Sequence, residues 1–580
     1  MNPSHANSRE SLRQAIDVEI QSFEESIRAL KYRRNALAPI SSLPPEVFAA
    51  IFSFVRLPDC FILAEEPDQL ACLPVAHVCH QWREIALNQP LFWSNVNFTI
   101  ITPAGATEML ARAKTVPLHV EATVPIGRWD DSRFAIFRNE LRAHVSHICH
   151  LGISAEHSHL RKTLEGLISP APTLEYLSLS SEEYRDRTIQ PRVSIPDNIF
   201  DGTTPRLSCL VLKNCDINWK SPLLKGLRSL KIYAPSRHAR PSLADWLDAL
   251  YEMPQLKNLD LHSASPIVPP FPLDVKRTVT LPFLTDLNIY ASAGECSLAL
   301  SHLVLPVLTK LRIEAKSVLG GSDVLQLLPY VARHSHGPQD TQPLQNIIIR
   351  GYIDHIEISA YPDTNVNCYG PYTVPRVELI ITRQVTTEIL DAAMATLPLD
   401  NLLKLTALAN AWFDELFWHI HAPRWPLLES VLLGPLAARG FREMILQDKC
   451  GHENPLFPSL TNLALYENTL AVPRALRLRD ALMKRVDQGL PLETLELRSC
   501  YATGYVVNSV AFQLLSEIVV DVSVWGKTSP GPAWNCNDSG AEDYADEPFT
   551  SDDDEGWDAE EIDEDEDEDE EEDYSAMNGD

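Results

Sequence analysis

The chain has 580 residues, of which 45% are hydrophobic and 22% charged, and its formal net charge is −30. Residues 541–580 hold 23 Asp and Glu and no Lys or Arg, so the first 540 residues carry 49 basic and 56 acidic side chains. Because these 540 residues carry no excess of basic side chains, the protein is not expected to bind nucleic acid. The sequence also has no run of about 18 apolar residues that could span a membrane.

Cysteine usage indicates a reducing compartment. The eleven cysteines lie far apart, without a CxxC pair. An odd number of cysteines without the spacing of a disulfide framework is typical of free, buried thiols. The N-terminal stretch MNPSHANSRESLRQ lacks the apolar core of a signal peptide. The expected location is therefore the cytosol, the nucleus or both.

Residues 10–38 carry a heptad repeat. Its apolar members are Ile16, Ile20, Phe23, Ile27, Leu30 and Leu37. This spacing predicts a helix with a coiled-coil seam through which the chain self-associates, although Arg34 takes the next seam position. The alternative is a single amphipathic helix packed on the next domain. Pro39 ends the helix in either case.

Two helical regions follow. In ISSLPPEVFAAIFSFV, Ser41 or Ser42 is a candidate cap, the two prolines suit a first turn, and Glu46 favours the positive end of a helix. Residues 71–87 predict a second helical region. Its apolar side would hold Val75, Val78, Cys79, Trp82 and Ile85.

A phrase of the form Leu-x-x-Leu-x-Leu recurs between residues 140 and 500. The nine copies begin at Thr173, Arg206, Gly226, Gln255, Phe283, Val307, Leu427, Ser459 and Leu492. Their spacing is that of a leucine-rich solenoid, in which stacked units share one core. A wide gap at about 345–425 indicates degenerate units or an insertion.

Details of the repeats predict where side chains lie. Alternate leucines such as Leu259 and Leu287 should face inward, and Lys257 and Asp286 outward. Cys215, Asn468 and Cys500 occupy the position that bonds backbone at the bend after a strand. SLADWLDALYEM, residues 242–253, predicts a helix on the other side of the sheet.

The acidic tail, residues 526–580, is expected to be disordered because its charges repel. Thr550 and Ser551 directly precede four carboxylates, the setting preferred by acid-directed kinases, and are phosphorylation candidates. The tail is interpreted as a solubilising appendage, with binding of a basic partner as the alternative.

Two segments of the chain together resemble an F-box. LPPEVFAAIFSFV and VAHVCHQWREIALNQPLFW carry the motif's Leu-Pro-x-Glu, its apolar-Phe pair, Val-Cys-x-x-Trp-Arg and a final Trp, here Trp93. The link between them is about a dozen residues longer than in compact F-boxes, a tolerable loop. The order of coil, F-box and leucine-rich region resembles F-box proteins of mushroom-forming fungi.

The resemblance implies a fold and partners. The fold class is α/β: a helix or coiled coil at 10–38, a small all-α F-box at 40–98, a leucine-rich-repeat-like α/β solenoid at 99–525 and the tail. The F-box would dock on the Skp-type adaptor of an SCF cullin–RING ubiquitin ligase, and the solenoid would hold a protein substrate. The residues expected to bind the adaptor are Leu43, Pro44, Glu46, Val47, Ile51, Phe52, Val78, Cys79, Trp82 and Arg83.

Other functions have less support. His77, Cys79 and His80 are unlike a zinc site because a helix would splay them and no second ligand pair has the right spacing. A second cluster overlaps a degenerate repeat that should turn Ile148 and Leu151 inward and the histidines out to solvent. Its members are His144, His147, Cys149, His150, His157 and His159.

The sequence lacks the motifs of common enzymes, including GxGxxG, GxSxG and HExxH. We therefore expect a non-catalytic subunit without a cofactor. Two alternatives remain open. One is a leucine-rich scaffold that pairs only with the adaptor, and the other is an acidic-tailed nuclear chaperone.

Overall fold

A computed structural model describes residues 3–525 apart from short segments. The segments left out are 56–74, 125–126, 128, 183–191, 269–276, 307–308, 336–342, 353–354, 367–373, 384, 409–411, 448–455, 469, 471 and 501–508. The long link between the two segments that resemble an F-box, the acidic tail and the phosphorylation candidates Thr550 and Ser551 therefore lie outside the described residues.

Helices alternate with strands along most of the described chain. The α-helices are α1 Pro3–Ala36, α2 Pro45–Val55, α3 His80–Asn88, α4 Pro103–Ala113, α5 Asp131–His144, α6 His157–Leu164, α7 Leu243–Tyr251, α8 Ala293–Ser301, α9 Ser322–Ser335, α10 Thr387–Thr396, α11 Glu415–His421, α12 Pro435–Gln447, α13 Val472–Asp487 and α14 Ser509–Ser516. No helix of the described part is both long and apolar enough to cross a bilayer.

The strands form one 17-stranded sheet and two small pairs. The strands are β1 Asn95–Asn97, β2 Leu118–Thr123, β3 Ile148–Glu156, β4 Tyr176–Glu182, β5 Val193–Ser194, β6 Cys209–Lys213, β7 Cys215–Asp216, β8 Ser229–Tyr233, β9 Asn258–His262, β10 Val279–Thr280, β11 Asp286–Ser292, β12 Leu303–Val304, β13 Lys310–Lys316, β14 Asn346–Gly351, β15 His355–Tyr361, β16 Val377–Thr382, β17 Lys404–Ala407, β18 Ser430–Leu433, β19 Asn462–Tyr466, β20 Thr494–Arg498 and β21 Asp521–Trp525. Strands β5 and β7 form one small pair, and β10 and β12 the other.

Each of the nine leucine phrases contains a strand of the large sheet, as predicted. In register, Leu230 of β8 lies beside Leu259 of β9, which lies beside Leu287 of β11. All three are at most 1% exposed. Because strand side chains alternate between two faces, these leucines form a continuous row in the core while their neighbours face outward. Lys257 is exposed and Asp286 partly exposed, as predicted.

The predicted helix at 242–253 is confirmed as α7. It begins after Ser242, whose hydroxyl accepts a hydrogen bond from the Asp245 amide at 3.2 Å, the usual way to satisfy a free first-turn N–H. Trp246 is fully buried on its inner face. The helix thus covers one side of the sheet, as the repeat pattern requires.

The Asn and Cys side chains at the bends after three strands form hydrogen bonds with backbone carbonyls, as predicted. Asn468 donates to the Leu433 carbonyl at 3.1 Å, Cys500 Sγ contacts the Leu465 carbonyl at 3.4 Å, and Cys215 Sγ that of Leu179 at 3.7 Å. Each bond joins the bend after one strand to the end of the preceding strand. The residue before each has positive φ, for example Glu467 at 54°. The repeated bond therefore holds a backbone geometry that non-glycine residues rarely adopt.

The gap at about 345–425 contains an insertion in the sheet. Strand β16 lies beside β13, β14 lies beside β17, and β15 runs antiparallel between β16 and β14. The other pairings of the large sheet are parallel. The chain therefore passes over two strand positions, returns through β15 and β16, and then resumes the parallel order at β17.

A buried arginine near the C-terminal end of the solenoid supports a loop. Arg485 of α13 is 2% exposed and donates to the carbonyls of Leu456 at 3.0 Å, Phe457 at 3.1 Å and Leu460 at 3.3 Å. Burial lowers the pKa of its guanidinium to about 10, so it remains charged at neutral pH. Arg485 thus satisfies carbonyls that precede β19.

Replacing Arg485 with methionine should lower the free energy of unfolding by about 1–3 kcal/mol, because buried carbonyls lose their donor. Urea unfolding followed by circular dichroism measures the change. The matched control is Arg474→Met, which removes an exposed arginine from the same helix. Equal stability of the two variants would show that the loop does not depend on Arg485.

Candidate functional site

A short link positions the first helix of the F-box segment. Residues Pro39–Ser42 form a 3-10 turn, Leu43 is extended, and α2 begins at Pro45. The Ser41 hydroxyl donates to the Asn35 carbonyl at 2.8 Å and that of Ser42 to the Pro39 carbonyl at 2.7 Å. Both hydroxyls point back along the chain, so the prediction that one of them caps α2 is wrong. The Ser41 bond fixes the link to the end of α1, and the Ser42 bond closes the 3-10 turn.

Helices α2 and α3 meet over a cluster of aromatic rings. Phe48 and Phe52 are fully buried, and the Trp82 ring lies 5.6 Å and 5.0 Å from theirs. Phe92 lies edge-on to Phe52 at 5.8 Å. Each such pair adds about 0.5–1.5 kcal/mol beyond the area it buries. Trp93 extends this core by donating from Nε1 to the Ala86 carbonyl at 3.1 Å.

A neighbouring face of α2, about 100° around the helix from the two buried phenylalanines, is apolar and uncovered. Pro44 is exposed, Val47 is 40% exposed and Ile51 is 36% exposed, while Leu43 is half-buried. Residues 47 and 51 are spaced by four, so they follow one stripe along the helix, and Leu43 and Pro44 lie directly before the helix begins. Glu46 is exposed beside this stripe in the first turn of α2. Apolar groups that a small module leaves outside are typical of a partner surface.

The structure separates the ten predicted adaptor-binding residues into three groups. Six are exposed: Pro44, Glu46, Val47, Ile51, Val78 and Arg83. Three are half-buried: Leu43, Cys79 and Trp82. Phe52 is fully buried, so within this chain it supports the helix pair from inside.

The second helical region is interrupted. Residues 75 and 76 are helical, residues 77–79 are not, and α3 begins at His80. The predicted helical region at 71–87 is therefore broken at residues 77–79, and the prediction that Val78 lies on its apolar side is wrong. The break turns Val78 out to 58% exposure, whereas Val75 stays buried at 5%. Val78 thus joins the exposed residues of the module instead of its core.

The histidine clusters are not arranged as metal sites in the described residues, which hold no group of three potential ligands. His77 and His80 are exposed. In the second cluster, Ile148 and Leu151 face inward as predicted. Its histidines are half-buried instead of solvated, since His159 stacks on Phe134 at 3.7 Å between ring centres and His150 on Tyr176 at 4.1 Å.

The open face of the solenoid presents an aromatic row. Tyr233, His262 and Tyr290 occupy equivalent positions on β8, β9 and β11, with neighbouring ring centres 4.7 Å and 5.6 Å apart. Lys316 Nζ lies 4.5 Å from the centre of the Tyr290 ring, within reach of a cation–π contact. Three stacked units thus present one continuous surface.

Asp260 holds this row in place. Its carboxylate accepts a hydrogen bond from the Tyr233 hydroxyl at 2.8 Å and lies 3.1 Å from His262 Nε2. Burial acts to raise the pKa of Asp260, but hydrogen bonds from His262 and Tyr233 outweigh it and lower the pKa. Burial and the same carboxylate raise the pKa of Tyr233. Tyr233 therefore stays a neutral donor to an ionised acid.

Sequence reasoning missed this row, although a signal for it exists. Each member directly follows the last apolar residue of a leucine phrase, as in LKIY, LDLH and LNIY. Comparing the residue at that position in consecutive repeats would have placed Tyr233, His262 and Tyr290 in one row. Their mutual distances still required the register of the strands.

A comparison with family models identifies the first module. The model described as F-box-like matches residues 40–99. Residues 40–99 form an F-box-like domain. The F-box-like domain includes α2, α3 and the aromatic cluster between them, so the resemblance of its two segments is confirmed. The leucine-rich-repeat-like solenoid follows it in the chain, which confirms the predicted fold class.

Other comparisons add little to the F-box-like domain. No curated protein matches the chain. Among solved structures, a chain from "Crystal structure of Rad7 and Elc1 complex in yeast" is similar at 14% sequence identity, with 89% of this chain and 96% of that chain covered. Its TM-score is 0.23. That value is too low to support any inference about this protein.

Proposed function

We propose that this protein is the substrate receptor of an SCF-type cullin–RING ubiquitin ligase, acting in the cytosol or nucleus. The observation that carries the proposal is the F-box-like domain, whose apolar stripe of Val47 and Ile51 is exposed together with Pro44, while Leu43 is half-buried beside them and the rings of Phe48 and Phe52 are buried. The stripe would bind the Skp-type adaptor. A continuous apolar patch centred on one helix is the kind of surface that supplies binding hot spots.

The solenoid would hold a protein substrate. Its open face presents the row of Tyr233, His262 and Tyr290, two of which, Tyr233 and His262, are held by Asp260. Tyrosine rings held in one conformation bind with little loss of side-chain entropy and are enriched in binding hot spots. We infer that the substrate contacts this row.

In this role the chain would contribute proximity. Tethering the substrate near the transfer machinery raises its effective concentration, while bond making and breaking occur on other subunits. The scaffold alternative shares the adaptor contact but lacks the cullin. The chaperone alternative depends on the tail alone.

Co-purification from cells distinguishes these functions. We expect the full chain to recover the Skp-type adaptor and the cullin, together with proteins that accumulate as ubiquitin conjugates. Tyr233→Ala/Tyr290→Ala should keep adaptor and cullin but lose those conjugates. Adaptor without cullin would indicate the scaffold, and histones without adaptor the chaperone. Either of these results would overturn the proposal.

A further inference from the structure

Helix α1 leaves its whole heptad seam uncovered within one chain. The exposed fractions are 47% for Ile16, 49% for Ile20, 61% for Phe23, 50% for Ile27, 62% for Leu30 and 83% for Leu37. The alternative that this seam packs on the next domain is therefore not what the structure shows. A 34-residue helix with one apolar seam in water is marginal alone and gains stability from a partner.

The F-box-like domain contacts a different face of α1. The Tyr32 ring lies 5.9 Å from that of His80, and the Asn35 carbonyl accepts from Ser41. Arg28 lines the same cleft, and Lys31, which flanks the seam, lies at its edge. At 100° per residue, residues 28, 32 and 35 lie about 140° around the helix from the seam. Contact with the F-box-like domain and contact through the seam are therefore compatible.

Charges flanking the seam select the partner and its direction. With Ile20 and Ile27 at position a, and Phe23 and Leu30 at position d, the flanking charged residues are Asp17, Glu19, Glu24, Lys31 and Arg33. In a parallel pair, Glu19 would face Glu24 of the partner subunit twice, which is repulsive. The parallel arrangement of two copies is therefore disfavoured.

In an antiparallel pair, most of the charges that flank the seam attract instead of repelling. If Ile20 lies against Leu30 of the partner subunit and Ile27 against Phe23 of the partner subunit, the same register sets Asp17 against Lys31 of the partner subunit. It also sets Glu19 against Arg33 of the partner subunit. Each attractive pair occurs twice by symmetry. One Glu24–Glu24 contact remains at the centre, where Glu24 also pairs with Arg28 of its own helix at 3.4 Å.

We propose that α1 forms an antiparallel two-helix coiled coil with a second copy of this chain, overlapping over residues 14–36. The register is centred at residue 25, so the two Ala36 residues, at which α1 ends shortly before each F-box-like domain, lie roughly 33 Å apart at 1.5 Å per residue. The dimer would therefore carry its two F-box-like domains at opposite ends of the helix pair. This proposal does not depend on the proposed ligase function.

Glu19→Lys tests the direction of the pair. In the antiparallel pair it turns two attractions into repulsions, so the dimer of the full chain should weaken by about tenfold in sedimentation equilibrium. In a parallel pair the same change would remove repulsion from Glu24 and strengthen the dimer. Adding Arg33→Glu should restore the affinity of the antiparallel dimer to within about twofold.

Glu25→Lys is the matched control, because position 25 faces away from the seam and should leave the dimer unchanged. Binding of the Skp-type adaptor is measured on the same samples and should not respond to Glu19→Lys, which separates this inference from the proposed function. A monomer at all concentrations, or a stronger dimer for Glu19→Lys, would overturn the proposal.

Discussion

Alanine in place of Leu259 or Leu287 is expected to lower the free energy of unfolding by about 2–5 kcal/mol. Both side chains are at most 1% exposed and lie side by side in the core row of β9 and β11. Truncation removes buried methyl groups and leaves a cavity that stacked neighbours on both sides cannot fill. Urea unfolding and thermal melting of the full chain measure the loss.

The matched controls lie on the same two repeats. Lys257→Ala and Asp286→Ala change exposed or partly exposed side chains and should stay within about 0.5 kcal/mol of the native chain. Asp286 lies 3.9 Å from Lys310, an exposed ion pair that adds little stability. Comparable losses for the leucines and the controls would mean that the strand register is wrong.

The second large effect is expected at the adaptor surface. Leu43→Ala/Pro44→Ala should weaken binding of the Skp-type adaptor by at least about thirtyfold, since losing contacts at the centre of an interface costs roughly 2–4 kcal/mol. Pro44 is exposed and Leu43 half-buried at the start of α2. Calorimetric titration of the adaptor into the full chain measures the change in affinity.

The same domain offers a matched control for this variant. Pro90→Ala/Leu91→Ala removes the same two residue types from the start of the 3-10 helix Pro90–Trp93 and should leave adaptor affinity unchanged. Because Leu43 also contacts the core, Val47→Ser provides a second test through an exposed side chain. Adaptor binding unaffected by both surface variants would refute the assignment of this face.

Much of the solenoid followed from its sequence because each leucine phrase is a local signal. Alternation of Leu with polar residues predicts a strand and its buried face, and the nearly equal spacing of Leu230, Leu259 and Leu287 predicts that they lie side by side. The wide gap at about 345–425 indicated degenerate units or an insertion, but the strand order of the insertion around β15 could not be predicted in this way. Its strands contain Ile and Val without the leucine phrase, and their order in the sheet depends on contacts distant in sequence.

In the F-box-like domain, the motif predicted the module but not which face its side chains occupy. Ile51 and Phe52 are adjacent and only about 100° apart on α2, and the position of α3 alone decides that Phe52 is covered and Ile51 is not. The break at residues 77–79 also escaped prediction, since the segment HVC contains neither Gly nor Pro. It is this break that exposes Val78.

Amide hydrogen exchange of the full chain, with and without purified Skp-type adaptor, tests the central claim most directly. We expect the adaptor to slow exchange in peptides covering residues 43–52 and 78–83, and to leave the exchange rates of strands β8, β9 and β11 unchanged. Protection confined to the solenoid, or no protection at saturating adaptor, would contradict the claim that the F-box-like domain is the adaptor-binding surface of this protein.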